Sequence, residues 1–261
     1  SPEEGANQIA LDIAQMIRDK QKAGRFCVLA LAGGNSPRNV YSALVRMHKE
    51  EGLSFRNVVV FNLYEYYPLA SDAVNSNLNS LKEMLLDHVD IDMQNVFSPS
   101  GTIAKDTIFE YCRLYEQRIE SFGGIDIAVL GIGRVGNIGF NEPDDHFSKY
   151  THQVDLTEST IAANTRFFER EEDVPRQAIS MGMQAITQAR KILLIASGAD
   201  KADAIYASCF GPVTPGIPAS ILQLHQDVTV IADKDALSKC PQQAWAQKAP
   251  SKEIHTGFLF R

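Results

Sequence analysis

The chain has 261 residues, a formal net charge of −7, 44% hydrophobic residues and 22% charged residues. That length and composition suit one large globular domain or two small ones, with enough chain to bury a sizeable core. The negative balance excludes nucleic acid and anionic membrane surfaces as expected partners, and no run approaches the roughly 18 apolar residues of a membrane span.

Apolar spacing from Ala6 to Met16 predicts an amphipathic helix ending near Gly24, followed by a buried strand over 26–31 and a helix from Pro37 to Lys49. A second strand is predicted over 57–62, with Val58-Val59-Val60-Phe61 at its centre, and another helix from Val74 to His88. Thr107 to Phe122 reads as a helix stopped by Gly123-Gly124, and Ile125 to Leu130 as a strand. Strands follow at 192–195 and 228–231, with a helix from about Lys201 to Cys209 between them. This alternation predicts an α/β fold: a single doubly wound, mostly parallel, Rossmann-like sheet with helices on both faces. Residues 1–261 read as one domain, without repeats or a composition shift that would mark a linker.

Cys27, Cys112, Cys209 and Cys240 show no Cys-x-x-Cys spacing and read as free buried thiols of a reducing, cytoplasmic setting. Ser1-Pro2-Glu3-Glu4 has no signal-peptide character, and a start without Met points to missing upstream sequence.

In open α/β sheets ligands sit outside the carboxyl ends of the strands, which singles out the loops after Leu31, Phe61, Leu130 and Ile195. In the first, Ala32-Gly33-Gly34-Asn35-Ser36-Pro37, Ser36 is typed as a helix N-cap with Pro37 at the first helical position. Its glycines would let backbone N–H groups turn toward an anion, though a plain strand-to-helix turn explains them equally. The second, Phe61-Asn62-Leu63-Tyr64-Glu65-Tyr66-Tyr67-Pro68, offers Glu65 as an acid or base and Tyr64 as a neutral phenol. The third begins Gly131-Ile132-Gly133-Arg134-Val135-Gly136, the dinucleotide glycine spacing, but Asn137-Ile138-Gly139-Phe140-Asn141-Glu142-Pro143 does not open a helix, so no nicotinamide cofactor is expected. Arg166 and Lys201 read alone as surface cations. The six histidines show no close ligand spacing, and Asp144-Asp145-His146 is not expected to converge on an ion, so neither metal nor cofactor is expected.

Taken together, these segments resemble the glucosamine-6-phosphate deaminase/isomerase family. The ordered match includes Gly33 to Pro37, Phe61 to Tyr66, Gly131 to Gly133 and Ile138 to Pro143. It continues through Asn164-Thr165-Arg166-Phe167-Phe168, Pro175 to Ile179 and Ser220 to His225. Related lactonases and sugar-responsive regulators share the fold but fit Phe140-Asn141-Glu142-Pro143 less well.

The resemblance implies a 6-phosphate site formed by Gly34, Asn35, Ser36, Arg166 and Lys201. It also implies ring opening, proton transfer between C2 and C1, and release of ammonia. The family uses an Asp before Glu-Tyr as base, and an Asp-Gly-His unit, supported by the Glu of Asn-Glu-Pro, for ring opening. Here Tyr64, Val135 and Asn137 stand at the first three positions, and only Glu142 is retained. Gly33 also replaces a Thr usual in the phosphate loop. The resulting expectation is a protein of aminosugar-phosphate metabolism that binds a hexose or aminosugar phosphate but has lost most deaminase activity. The alternatives are an isomerase or deaminase with a rearranged catalytic set drawing on Glu65, His146 or Tyr64, and a structural module that binds nothing. A homo-oligomer is compatible with the resemblance, since some members are hexamers with an allosteric phosphate site. The basic residues expected for that second site are His152 and Val154 here, and the tail over 241–261, including Trp245, departs from the pattern.

Overall fold

A computed structural model describes residues 2–242 and 257–260 of the chain. The strands are β1 (Cys27–Leu31), β2 (Val58–Asn62), β3 (Tyr64–Tyr67), β4 (Val96–Phe97), β5 (Ile127–Gly131), β6 (His152–Asp155), β7 (Gln177–Ser180), β8 (Lys191–Ala196), β9 (Val228–Ala232) and β10 (Gly257–Phe260). The α-helices are α1 (Pro2–Lys22), α2 (Arg38–Glu51), α3 (Asn77–Met84), α4 (Ile108–Ser121), α5 (Glu158–Asn164), α6 (Met183–Thr187) and α7 (Ala202–Phe210).

The main sheet runs β10-β9-β8-β5-β1-β2-β4. Six of these strands pair in parallel, and β10 joins β9 antiparallel at the edge. Successive side chains on a strand point to opposite faces. On β1, Cys27, Leu29 and Leu31 therefore pack with α1 and α2, while Val28 and Ala30 pack with the layer that contains α4, α6 and α7. The expected fold, with helices on both faces, is the one observed.

The chain steps outward from β1 to β2 and β4, then crosses back to place β5 on the other side of β1. The loops after β1 and β5 diverge at that switch point and leave a crevice between them.

One feature departs from the expected single sheet. Tyr64 to Tyr67, read from sequence as a loop, forms β3 of a second, antiparallel sheet in the order β3-β7-β6. Its pairings join Tyr66 to Ala178 and Val154 to Ala178, contacts that short-range periodicity does not encode. The helix expected over 74–88 is also shorter: the Ser76 hydroxyl accepts from the Asn79 N–H at 2.9 Å, and a separate 3-10 turn covers Leu86–His88. Trp245 and most of the 241–261 tail lie outside the described residues. All four cysteines are buried and unpaired; burial pushes the Cys27 and Cys209 thiols up to about 12 and Cys112 to about 11. No helix among the described residues is long and apolar enough to cross a membrane.

Candidate functional site

A cleft of about 820 Å³, open to solvent, lies at the switch point. The loops after β1, β2, β5 and β8 all reach it, together with α5 and the turn that carries Arg166. It brings together Gly34, Asn35, Ser36, Tyr64, Asn137, Arg166 and Lys201. Val135 and Glu142 are not among its lining residues.

The loop after β1 differs from its expected form in two ways. The Gly33 N–H donates to Asn77 Oδ1 at 3.0 Å and the Gly34 N–H to Ser80 Oγ at 3.3 Å, so neither is left for an anion. A Cβ on Gly33 would lie 2.7 Å from the Asn77 carbonyl oxygen, which is why the start of α3 can close on this loop only over glycine. Gly34 turns the chain at φ +89°, a conformation open chiefly to glycine. Ser36 is not the cap: α2 begins after Pro37, without a side-chain cap, and the Ser36 hydroxyl lies over Gly131 instead. The loop's donors without an internal partner among the described residues are the Asn35 and Ser36 N–H groups, the Asn35 side-chain NH2 and the Ser36 hydroxyl.

Asn77 connects this loop to the second one. Its Nδ2 donates to Asn62 Oδ1 at 2.6 Å and to the Tyr64 carbonyl at 3.1 Å. Glu65 is buried beneath Tyr64, and its carboxylate accepts the N–H groups of Tyr66, Asn77 and Leu78 at 2.9–3.1 Å. It serves the first turn of α3, where a negative charge complements the helix dipole. Burial raises its pKa, with these three bonds acting against the shift. Glu65 is not a lining residue, so it is no free base for the cleft.

Tyr64 is half-buried, with its ring centroid 3.9 Å from that of Phe140. Burial, and then Glu65, raise the phenol above its ordinary value of 10.0, against a lowering by Arg166. It stays protonated at neutral pH and acts as a hydroxyl, not as a base.

In the loop after β5, Asn137 is 7% exposed and lines the cleft, and its Oδ1 has no hydrogen-bond partner. A Cβ on Gly133 would fall 1.7 Å from that Oδ1, so the amide lies directly over a glycine. Glu142 is buried, and its carboxylate accepts the Thr157 N–H at 3.2 Å and the Thr160 hydroxyl at 2.8 Å. Thr157 also caps α5 through the Thr160 N–H. Glu142 thus fixes the start of α5, which presents Ser159, Thr160, Ala163 and Asn164 to the cleft. Sequence reading missed these residues, although Thr157 followed by Glu158 is a helix-start signal.

Arg134, Arg166 and Lys201 supply three cations. Arg166 is exposed, with its guanidinium 4.8 Å over the Phe167 ring. Burial lowers the Lys201 pKa below its ordinary 10.5; Asp200 opposes the shift, while Arg166 and Arg134 add to it. Asp200 lies outside the lining and accepts from Arg134 Nε at 2.9 Å. Burial raises its pKa, but the bond from Arg134 and the charge of Lys201 outweigh that and leave it lowered. Arg134 is the cation that sequence reading did not single out.

The residues described as lining the cleft include no carboxylate, histidine or thiol, so they offer no set of strong metal ligands. Elsewhere, ligand atoms of Asp144, Asp145 and His146 do converge, to within 4.8 Å of one another, contrary to expectation. All three are exposed, and His146 Nδ1 lies 2.7 Å from Asp145 Oδ1. This places His146 outside the cleft lining as well.

A family model described as glucosamine-6-phosphate isomerases/6-phosphogluconolactonase matches residues 1–231. A glucosamine-6-phosphate deaminase-like protein of Bacteroides thetaiotaomicron is 63% identical over 90% of this chain, which spans only 36% of that relative's length. The glucosamine-6-phosphate deaminase of Clostridioides difficile is 49% identical, covering 81% of this chain and 84% of its own. Among solved structures, a monomeric glucosamine-6-phosphate deaminase of the NagB superfamily superposes with a TM-score of 0.86 at 40% identity, over 92% of this chain and 97% of its own. The 6-phosphogluconolactonase of Trypanosoma brucei, at 18% identity and a TM-score of 0.73 over 92% of this chain and 96% of its own, shares the fold.

Proposed function

The chain belongs to the glucosamine-6-phosphate isomerase/6-phosphogluconolactonase family, and on that premise we propose that it binds a sugar phosphate while its deaminase chemistry is lost or strongly impaired. The observation that carries this reading is the make-up of one cleft: three cations and an anion-ready loop, without a carboxylate or imidazole among the lining residues. Arg166, Lys201 and the free donors of Asn35 and Ser36 hold the phosphate. Tyr64, Phe140 and Asn137 face the sugar.

Deamination needs a group that takes a proton from one carbon and returns it to the next, and a positioned acid or base typically supplies about 10²–10⁴ in rate. Valine exchanges no proton, and asparagine does not titrate near neutrality. The Tyr64 phenol is raised, away from the range of a useful base. Glu142 is retained but engaged by Thr157 and Thr160, and Glu65 is engaged by α3. A rearranged catalytic set drawing on Glu65 or His146 therefore finds no support in the geometry.

The test is titration calorimetry with a panel of hexose 6-phosphates, alongside an ammonia-release assay with glucosamine 6-phosphate. The expected outcome is saturable binding of at least one sugar phosphate with ammonia release well below the ~1 s⁻¹ that marks the low end of ordinary enzyme turnover. Release above that rate rejects the loss of activity. No binding at millimolar concentration favours a purely structural module.

A further inference from the structure

We infer that the cleft selects a hexose 6-phosphate with a neutral hydroxyl at C2 over one with an ammonium group there. This rests on the sugar-phosphate reading above and names the substrate class of that same site. It runs against the substrate for which the deaminase relatives are named, whose sugar carries an amine.

Every charged side chain described in the lining is a cation: Arg134, Arg166 and Lys201. Asp200 neutralises one of them through its 2.9 Å contact with Arg134. The two positive charges that remain match a phosphate dianion, whose second pKa is about 6. An ammonium group on the same ligand adds a positive charge with no counterpart.

Glu65 and Glu142, which adjoin the lining residues Tyr64 and Thr160, do not supply one. Glu65 is 5% exposed with three backbone N–H groups on its oxygens, and Glu142 is 9% exposed and held by Thr157 and Thr160. Both serve helix starts and lie outside the lining. The other polar side chains of the lining on this side are neutral: the Tyr64 phenol, the Asn137 amide and the Ser159 hydroxyl, the Thr160 hydroxyl being donated to Glu142. Asn137 lines the cleft as a neutral amide whose Oδ1 is buried over Gly133, so it brings no charge to the sugar. One neutral acceptor satisfies a hydroxyl, but it does not offset a charge brought out of water. With the cations already balanced by Asp200 and the phosphate, the uncompensated ammonium is the unfavourable element that separates two ligands of nearly equal size.

The experiment compares glucose 6-phosphate with glucosamine 6-phosphate by calorimetry on the whole chain at neutral pH. The two differ at C2 by hydroxyl against amine, so size does not confound them. The expected result is binding of glucose 6-phosphate tighter by about 10-fold or more, as uncompensated like charge predicts. Equal or tighter binding of glucosamine 6-phosphate overturns the selectivity while leaving the sugar-phosphate reading intact. Failure of both ligands, and of the wider panel, rejects that reading and this inference together. As a second measurement, Asn137→Asp places a carboxylate at the sugar with no change in shape and should narrow or reverse the difference. A folded variant with the difference unchanged overturns the charge argument. If that variant does not fold, the comparison on the parent chain decides alone.

Discussion

The two ends of the cleft have different requirements. At the proposed phosphate end stand Arg166, Lys201, the N–H groups of Asn35 and Ser36, and the Ser36 hydroxyl. At the sugar end Tyr64 and Asn137 occupy the surface, while Glu65 and Glu142 are drawn into the starts of α3 and α5. Binding an anion needs fixed charge and free donors, and these work over a range of positions. Moving a proton needs a group that titrates near neutrality at one particular atom. Groups of the first kind line the cleft and none of the second kind is described there, which is the difference that the proposed separation of recognition from chemistry rests on.

The largest expected effect comes from rebuilding the sugar end. The combined change Tyr64→Asp, Val135→Asp and Asn137→His should raise ammonia release by at least ~10²-fold, the lower bound for a positioned acid or base. A stopped assay on parent and variant checks it, and no gain in a folded, sugar-phosphate-binding variant means the loss lies deeper than these side chains. Next comes removal of a cation at the phosphate end. Arg166→Ala should weaken sugar-phosphate binding by about 1.5–3 kcal/mol, the range for a hydrogen bond to a charged group, as read by calorimetry. An unchanged affinity would remove Arg166 from the phosphate site.

The smallest effect is in pH dependence. Burial lowers the Lys201 pKa from 10.5 and its cationic neighbours add to the shift, so the free protein loses this charge earlier than an exposed lysine would. Above the phosphate's own second pKa of about 6, affinity should therefore hold until the lowered Lys201 value and fall as pH rises through it, before 10.5 is reached. Lys201→Met should bind more weakly and lose that decline, which a pH series of titrations measures.

Much of the fold was legible locally. Continuous apolar runs such as Val58-Val59-Val60-Phe61 read as strands buried on both faces, and all five residues of β2 are buried. The stretch from Tyr64 to Tyr67 was not legible. Its aromatic residues suit strand or loop, and only pairing with Gln177–Ser180, far along the chain, makes it a strand. In the site, Ser36, Arg166 and Lys201 were visible as ordered motif positions. Arg134 was not singled out, because only the approach of the loops after β5 and β8 gives its charge a place beside Asp200 and Lys201.

The sequence by itself determined the family, the strand–helix alternation, and which residue types stand at Tyr64, Val135 and Asn137. Tertiary structure alone decided where their neighbours are used. It gives the N–H groups of Gly33 and Gly34 to Asn77 and Ser80, and turns Glu65 and Glu142 toward helix starts. The physical reason is one of range. Periodicity and glycine chemistry act over a few residues, whereas a buried donor or carboxylate takes whatever partner the packed chain brings within about 3 Å.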